Sequence, residues 1–227
     1  MKRNRTYRTI IVFAMIIALC MALASCSKSD PGSDIVPINE IGSSKAPEDA
    51  QEDNDSGSNI ATGVVEGEKS MVEITMENGG VITLELDHEA APITVENFLK
   101  LVNENFYDGL TFHRIIPGFM IQGGDPDGTG MGGSSDTIKG EFTDNGWDNP
   151  IGHERGVISM ARSNMPNSAS SQFFITNADV HFLDGQYAAF GKVVSGMEVV
   201  DEISAVQTGA NDYPTSPVVI STIRETK

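Results

Sequence analysis

One segment constrains the fold and the chemistry of this chain more than any other. Residues 112–125 read FHRIIPGFMIQGGD, with a single cation, Arg114, among large apolar side chains. Apolar alternation predicts two strands, 111–115 and 119–122, joined by a turn at Pro117–Gly118. Arginine is almost never fully buried unless it is paired. Arg114 therefore indicates either a cleft or a buried carboxylate beside these strands, and the apolar setting favours the cleft.

The two faces of the first predicted strand carry different side chains. Because strand side chains alternate, Phe112 and Arg114 are expected on one face, with His113 and Ile115 on the other. An apolar pocket with a guanidinium and amides at its rim suits a ligand that is apolar on one side and peptide-like on the other. A proline within a peptide is such a ligand.

A second segment supplies the opposite wall of this pocket. Residues 160–176 read MARSNMPNSASSQFFIT, in which alternation places Gln172 and Phe174 on one face of a strand. Five apolar strand residues are expected in the core, and these are Phe112, Ile115, Ile121, Phe173 and Ile175.

These two segments resemble the signature segments of the cyclophilin-type peptidyl-prolyl cis/trans isomerases. The likeness extends from about residue 71 to residue 227 and includes Phe182–Gly185 and Phe190–Val193. It implies a mostly β fold, a closed eight-stranded antiparallel barrel capped by two helices. The strand and helix patterns of the chain independently fit that architecture.

The resemblance also implies roles for individual residues. Arg114 matches the catalytic arginine, and Gln122 matches the amide that holds the substrate backbone. The proline pocket is matched by Phe119, Met120, Phe174 and Leu183. The adjoining groove is matched by Gly130, Ala161, Arg162, Ser163 and Gln172.

Three of the expected substrate-binding positions depart from the eukaryotic pattern of the family. Arg162 stands where Asn is usual, Phe182 where Trp is usual, and Tyr187 where His is usual. Similar replacements are familiar in bacterial members, so they leave the isomerase interpretation intact. Because the indole N–H is missing at Phe182, we expect only weak cyclosporin binding.

Local patterns outline the rest of the folded domain. Strands are predicted at 72–76 and 81–86, and they form a hairpin around Asn78–Gly80. A helix is predicted to begin after an N-cap at Thr94, and its apolar face carries Val95, Phe98, Leu99 and Val102. Further strands are predicted at 156–160, 172–176, 189–194 and 218–224, with a second helix at 197–205.

The amino terminus predicts export and lipidation. Residues 1–25 combine a basic start with a short apolar run and read as a signal peptide, ending in LAS before Cys26 as in a bacterial lipobox. Residues 26–70 are rich in Ser, Asp, Glu, Gly and Pro, which predicts a lipidated Cys26 followed by a disordered acidic tether. A soluble secreted product remains the alternative to the lipoprotein, and an acidic docking tail remains the alternative to a passive tether. Residues 71–227 form the isomerase domain, and the expected location is extracytoplasmic, anchored by lipid to a bacterial membrane.

Charge and residue spacing exclude several other functions. The formal charge is −17, and it becomes about −21 when the four basic residues of the signal leave, which argues against nucleic acid as a partner. The glycine-rich stretch 123–133 lacks a phosphate-loop lysine, and its aspartates match a calcium loop only in part. The histidines show no metal-ligand spacing, and His113 is interpreted as a satisfied histidine of the core, or one that supports the site from behind, rather than a catalyst. No cofactor or metal is expected, and we expect a monomer.

Two functions remain in competition. The first is a prolyl isomerase that acts on proline-containing polypeptides during the folding of exported proteins. The second is a binding module or holdase that uses the same groove with little turnover. Arg114 favours the enzyme, because a simple binding module has no need of that cation.

Overall fold

Eight strands form a single antiparallel sheet, and two helices pack against it. The computed structural model describes residues 69–226. The strands follow one another across the sheet in the order β3-β4-β6-β5-β7-β2-β1-β8. Their bounds are β1 Lys69–Met76, β2 Val81–Asp87, β3 Arg114–Ile116, β4 Met120–Gly123, β5 Val157–Met160, β6 Phe173–Thr176, β7 Ala189–Ser195 and β8 Ile220–Thr226, and the helices are α1 Pro92–Asn103 and α2 Met197–Ser204.

The predicted fold class is confirmed, although "closed" slightly overstates the barrel. The sheet curls until its two edge strands, β3 and β8, approach each other. An isolated bridge between Thr111 and Val219 joins these edges, with hydrogen bonds between Ile220 and residues 109 and 110 beside it. The N–H of Phe112 donates to the carbonyl of Val218 at 3.0 Å beside it. A full ladder does not form because the chain ahead of β3 is irregular.

The start of β3 differs from the expectation. The strand begins at Arg114 rather than at residue 111, and the two residues before it lack strand geometry. Phe112 is therefore not on the face of Arg114 but fully buried in the core, together with Ile115. Strict alternation fails here because it holds only while the backbone stays extended.

The first helix also begins differently from the prediction. Thr94 is not its N-cap, because Pro92 occupies the start of the helix and Ala91 the cap position. The buried carboxylate of Glu141 instead accepts the backbone N–H groups of Ile93 at 3.0 Å and Thr94 at 2.8 Å. It also accepts the Thr94 hydroxyl at 2.7 Å. A distant acidic side chain thus replaces a local cap.

The remaining elements agree with the sequence patterns within a few residues. The β1–β2 hairpin turns through Gly79, whose φ of +88° favours glycine. The five predicted core residues are all fully buried, and aromatic rings fill the centre of the barrel, with Phe98 and Phe173 packed edge to face at 5.6 Å. The core thus occupies the concave side of the sheet, which leaves the convex side of β3, β4 and β6 free for a site.

Of the three predicted segments, the described residues cover the isomerase domain up to residue 226 and the last two residues assigned to the tether. β1 begins at Lys69, so two residues assigned to the tether belong to the sheet. The predicted signal peptide, Cys26 and the tether up to residue 68 lie outside the described residues. Within 69–226, neither helix has the length and apolar character needed to span a bilayer.

Candidate active site

A row of three side chains crosses the convex side of the sheet. The register pairs Arg114 with Gln122 on β4, and Gln122 with Phe174 on β6. Their neighbours Ile121 and Ile175 point to the core and are fully buried. The register of β3, β4 and β6 therefore brings a cation, an amide and an aromatic ring together, of which alternation predicted the side of Phe174 and the family resemblance implied Gln122.

A small pocket opens beside this row. Its volume is about 180 Å³, below the roughly 300–1,000 Å³ typical of small-molecule sites, so it suits one small side chain of a longer ligand. All its lining residues were predicted from the sequence, and they are Arg114, Phe119, Met120, Gln122, Ala161, Arg162, Phe174, Leu183 and Tyr187. Met120, Phe174 and Leu183 are buried and form an apolar cluster with Val180.

Arg114 lies at the rim of the pocket with its side chain 41% exposed. Its Nε donates to Oδ2 of Asp212 at 3.3 Å, and the side chain of Asp212 is 45% exposed. Both sequence alternatives are thus met in part, because Arg114 faces a cleft and also has a carboxylate partner, though not a buried one. Among the described residues, its two Nη atoms have no hydrogen-bond partner.

Two glutamine side chains link the pocket to a second cavity. Nε2 of Gln122 donates to Oε1 of Gln172 at 2.8 Å, and Nε2 of Gln172 donates to the carbonyl of Gly132 at 2.7 Å. This chain of hydrogen bonds fixes the Gln122 amide beside Arg114. The Oε1 of Gln122 has no donor among residues 69–226, so it can accept one from a ligand.

The second cavity adjoins the pocket and has a volume of about 420 Å³. It shares Gln122, Ala161 and Arg162 with the pocket. Three predicted groove residues line it, namely Gly130, Ser163 and Gln172. The sequence reasoning missed six further lining residues, which are Met131, Gly132, Gly133, Ser134, Ser168 and Ser170.

The glycine-rich stretch is a loop wrapped around the buried carboxylate of Asp125. That carboxylate accepts the backbone N–H groups of Asp127, Thr129, Gly130 and Gly132 at 2.5–3.2 Å. Burial alone would raise the pKa of Asp125, but these hydrogen bonds outweigh it and hold the pKa below its usual value. The partial calcium pattern is thus explained by a loop whose first aspartate binds backbone amides. No metal-binding cluster occurs in the described part of the chain.

Arg162 is held in place by two aromatic rings. Its guanidinium lies 5.0 Å from the ring centre of Phe142 and 4.7 Å from that of Tyr187. Its Nε donates to the carbonyl of Gln186 and its Nη1 to the carbonyl of Ser163, both at 2.9 Å. The side chain is half-buried at the boundary between the two cavities.

Comparison with known proteins places this geometry in one family. The family model for cyclophilin type peptidyl-prolyl cis-trans isomerase/CLD matches residues 71–225. Peptidyl-prolyl cis-trans isomerase B of Bacillus subtilis is 51% identical over 129 residues, covering 57% of this chain and 87% of that protein. A peptidyl-prolyl cis-trans isomerase of Schizosaccharomyces pombe is 46% identical over 142 residues, covering 62% of this chain and 90% of the relative. This chain belongs to the cyclophilin-type peptidyl-prolyl cis-trans isomerases.

Solved structures share the fold of this cyclophilin domain. A cyclophilin type isomerase of Cryptosporidium parvum, crystallised in the presence of the dipeptide Ala-Pro, gives a TM-score of 0.64 at 33% identity. The match covers 69% of this chain and 99% of that structure. A second crystal structure of the same isomerase gives a TM-score of 0.65 at 32% identity.

Phe182 lines neither cavity of the cyclophilin domain. Its ring is 66% exposed and lies 5.5 Å from the ring of Phe119, centre to centre. Of the predicted substrate-binding residues it is therefore the one that sits outside the rim, where only a ligand larger than the pocket can reach it.

A Ser–His–Asp arrangement lies beneath the pocket, with its serine and histidine buried and the side chain of Asp184 38% exposed. Nδ1 of His153 lies 2.9 Å from Oδ1 of Asp184, and its Nε2 lies 3.0 Å from Oγ of Ser159. Ser159 and His153 are fully buried, so no substrate carbonyl can reach this hydroxyl. The His153 ring instead stacks on Phe174 with ring centres 6.0 Å apart and supports the floor of the pocket.

His113 is a core histidine, as interpreted from the sequence, but within residues 69–226 it is not a satisfied one. It is only 3% exposed, and neither ring nitrogen has a hydrogen-bond partner among the described residues. Burial lowers its pKa, and the charge of Arg114 lowers it further, while Asp125 opposes this change. The ring is therefore neutral at neutral pH.

A larger cavity of about 520 Å³ lies elsewhere, between the β1–β2 turn, α2 and the segment before β8. It includes the acidic side chains Glu77 and Glu202 but no cationic side chain, and none of the predicted site residues lines it. The smaller pocket, which combines a cation, an amide and buried apolar side chains, is the candidate active site.

Proposed function

We propose that this chain accelerates rotation about X–Pro bonds in exported polypeptides, with Arg114 stabilising the twisted amide. One observation carries the proposal. A guanidinium whose Nη donors are not used within the described chain stands beside an apolar pocket large enough for one proline ring.

The chemistry follows from the electronic structure of the peptide bond. Rotation about X–Pro has a barrier of about 18–20 kcal/mol because amide resonance is lost. In the twisted state the nitrogen becomes pyramidal and basic. A donor directed at that nitrogen stabilises the twisted state more than either planar state, and this difference is catalysis. Arg114 has the donors for this interaction.

The expected contribution of Arg114 is limited. A hydrogen bond to a charged group is worth roughly 1.5–3 kcal/mol, which corresponds to about ten- to a hundredfold in rate. The rest comes from Met120, Phe174 and Leu183, which exclude the water that favours the polar planar amide. Gln122 holds the peptide backbone in register with Arg114. The reaction needs no nucleophile and no cofactor.

A binding module or holdase with little turnover is the second candidate. The same apolar pocket and glutamine pair would serve it, and the Cryptosporidium parvum structure with Ala-Pro supports a proline peptide as the ligand in either case. The position of Arg114 favours the enzyme, because binding of a planar proline peptide gains little from a donor beside the amide nitrogen.

The decisive experiment compares Arg114→Ala with the unaltered chain. We expect kcat/KM for a proline peptide to fall at least tenfold while the thermal midpoint is nearly unchanged, because Arg114 is half-exposed and its one ion pair is exposed too. Arg114→Lys should recover little, since a point charge does not reproduce the planar fork. Arg155→Ala is the control, because Arg155 pairs with Asp201 and lines neither cavity.

Each outcome separates the two candidate functions. Equal activity of Arg114→Ala and the unaltered chain would refute the Arg-assisted mechanism. An unaltered chain that binds proline peptides without accelerating their isomerisation would favour the binding module. Loss of folding in Arg114→Ala would mean that its pairing with Asp212 is structural.

We further propose that the protein acts outside the cytoplasm of a bacterium, anchored to a membrane by lipid on Cys26. The support is the basic and apolar start of the chain, followed by LAS directly before Cys26. Two or more acyl chains anchor a protein firmly. The acidic segment that follows would let the domain reach polypeptides near the membrane.

A further inference from the structure

Arg162 differs from every other arginine of the described chain in its charge environment. Acidic residues outnumber lysine and arginine by 32 to 15 in the sequence. The other three arginines in 69–226 each contact an aspartate, Arg114 at 3.3 Å, Arg155 at 2.7 Å and Arg224 at 2.6 Å. Within the same residues no carboxylate lies within 4.0 Å of the Arg162 guanidinium.

The guanidinium of Arg162 is nevertheless fixed in one orientation. It lies over two aromatic rings, and two backbone carbonyls accept hydrogen bonds from Nε and Nη1. Arginine carries five N–H donors, so the Nη2 edge remains without a partner among the described residues. Little side-chain entropy is left to lose when a ligand binds this edge.

The position of Arg162 relates this unused edge to the substrate. Arg162 lines both the pocket and the second cavity. A residue of an extended peptide spans about 3.3–3.6 Å, so a peptide with proline in the pocket places a residue close in sequence beside Arg162. The charge of Arg114 is balanced by Asp212, whereas that of Arg162 is not.

We infer that Arg162 is a specificity-determining residue that binds a carboxylate side chain of the substrate. The domain then prefers proline segments with Asp or Glu near the proline on the side of the second cavity, and disfavours Lys or Arg there. Carboxylates suit the flat guanidinium fork, which forms charge-assisted hydrogen bonds with them. This inference rests on the proposed isomerase function.

The test uses proline peptides that carry Glu, Gln or Lys at each of the two positions on either side of the proline. Isomerisation is measured by NMR exchange rather than by a coupled protease, because a protease adds its own sequence preference. At one position or more we expect kcat/KM for the Glu peptide to exceed that for the Gln peptide about fivefold. We expect kcat/KM for the Lys peptide to be lower than that for the Gln peptide. The preference should shrink as salt is added.

Two variants locate the source of this preference. In Arg162→Gln the ratio of Glu to Gln peptides should fall to about one, whereas Arg162→Lys should keep part of it because the charge remains without the fork. Arg155→Gln is the matched control and should keep the full ratio, because Arg155 is paired with Asp201 and lines neither cavity.

The outcomes distinguish this inference from the function on which it rests. If the unaltered chain isomerises all the peptides equally well, or prefers Lys, the inference is overturned and the stacked guanidinium only joins Phe142 to Tyr187. If it isomerises none of them, the proposed function fails and the inference fails with it. If Arg162→Gln does not fold, Arg162→Lys still tests whether the preference comes from Arg162, because it keeps the charge and removes the fork.

Discussion

At the scale of single residues, the pocket depends on how Arg114 is oriented. Its partner Asp212 and the neighbouring Asn211 both have positive φ, +62° and +57°. Non-glycine residues in this region cost about 1–3 kcal/mol each, and such strain is concentrated at functional sites. The loop thus uses a strained backbone to present a carboxylate to Nε of Arg114, which leaves the Nη atoms for the substrate.

A prediction at this scale concerns Phe182. Because its exposed ring has no hydrogen-bond donor, the unaltered chain should bind cyclosporin weakly, and Phe182→Trp should strengthen inhibition about two- to tenfold, the worth of one hydrogen bond. Turnover of small peptides should hardly change, since Phe182 lines neither cavity. Inhibition constants of the two proteins and of Phe182→Leu, which gains no donor, provide the check. Tight binding by the unaltered chain would contradict the argument.

At the scale of elements, α1 depends on a carboxylate supplied by a distant segment. Glu141 is fully buried and receives three hydrogen bonds from the first turn of α1. The carboxylate thus faces the amino-terminal end of the helix and satisfies donors that have no partner within the helix. The helix in turn packs against β2, β7 and β8, so its first turn contributes to the stability of the barrel.

We therefore predict that Glu141→Gln lowers the free energy of unfolding by about 1–3 kcal/mol, because the new amide turns a donor towards buried N–H groups. Urea unfolding gives the measurement. Glu96→Gln, an exposed change on the same helix, should alter it by no more than about 0.5 kcal/mol. The activity of the folded protein should persist, since Glu141 lines neither cavity. Equal losses in the two variants would show that Glu141 is not an effective cap.

At the scale of the whole molecule, two buried histidines make stability depend on pH. Burial lowers the pKa of His113 and of His153, although Asp184 opposes the change in His153. In the unfolded chain both titrate near the usual 6.5. As the pH falls below that value, the unfolded state takes up protons before the folded state does. Stability is therefore lost as the pH drops from about 7 through the lowered pKa values.

We predict that the free energy of unfolding, measured by urea at pH 7.5, 6.0 and 5.0, decreases along this series. His113→Gln should flatten the decrease, because one of the two buried titrating rings is gone. His88→Gln should keep it, because His88 is only half-buried and its ring hydrogen-bonds to Ser70 rather than to a partner of His113 or His153. The lowered pKa of Asp125 affects stability only at lower pH, near and below its usual value of 3.8. An unchanged slope in His113→Gln would contradict this assignment.

The proposed lipid anchor provides the second prediction at this scale. Cys26→Ser should release the protein from membranes or leave an uncleaved precursor, while the isomerase activity of the protein stays the same. The site residues all lie between Phe112 and Asp212, far along the chain from Cys26. Membrane fractionation and the mass of the mature amino terminus are the measurements. A soluble unaltered protein with unmodified Cys26 would refute the anchor and leave the isomerase function standing.

The sequence by itself determined the elements and most of the pocket. Alternation in β6 depends only on local backbone geometry, so it correctly assigned Phe174 to one side and the core residues Phe173 and Ile175 to the other, whereas Gln122 came from the family resemblance. The glycine turn at Gly79 and the apolar spacing of α1 are equally local. Such patterns are readable because each residue's environment follows from its near neighbours.

Only the tertiary structure decided which distant groups meet. Asp212 binds Arg114 across 98 positions of sequence, and Glu141 caps Thr94 across 47. Two other contacts also join segments that are distant in sequence. Arg162 stacks on Phe142 and Tyr187, and a bridge between Thr111 and Val219 joins the barrel edges. No local pattern encodes these pairs, because they form only when the curled sheet brings separate loops to one surface. Their partners are therefore set by packing rather than by spacing along the chain.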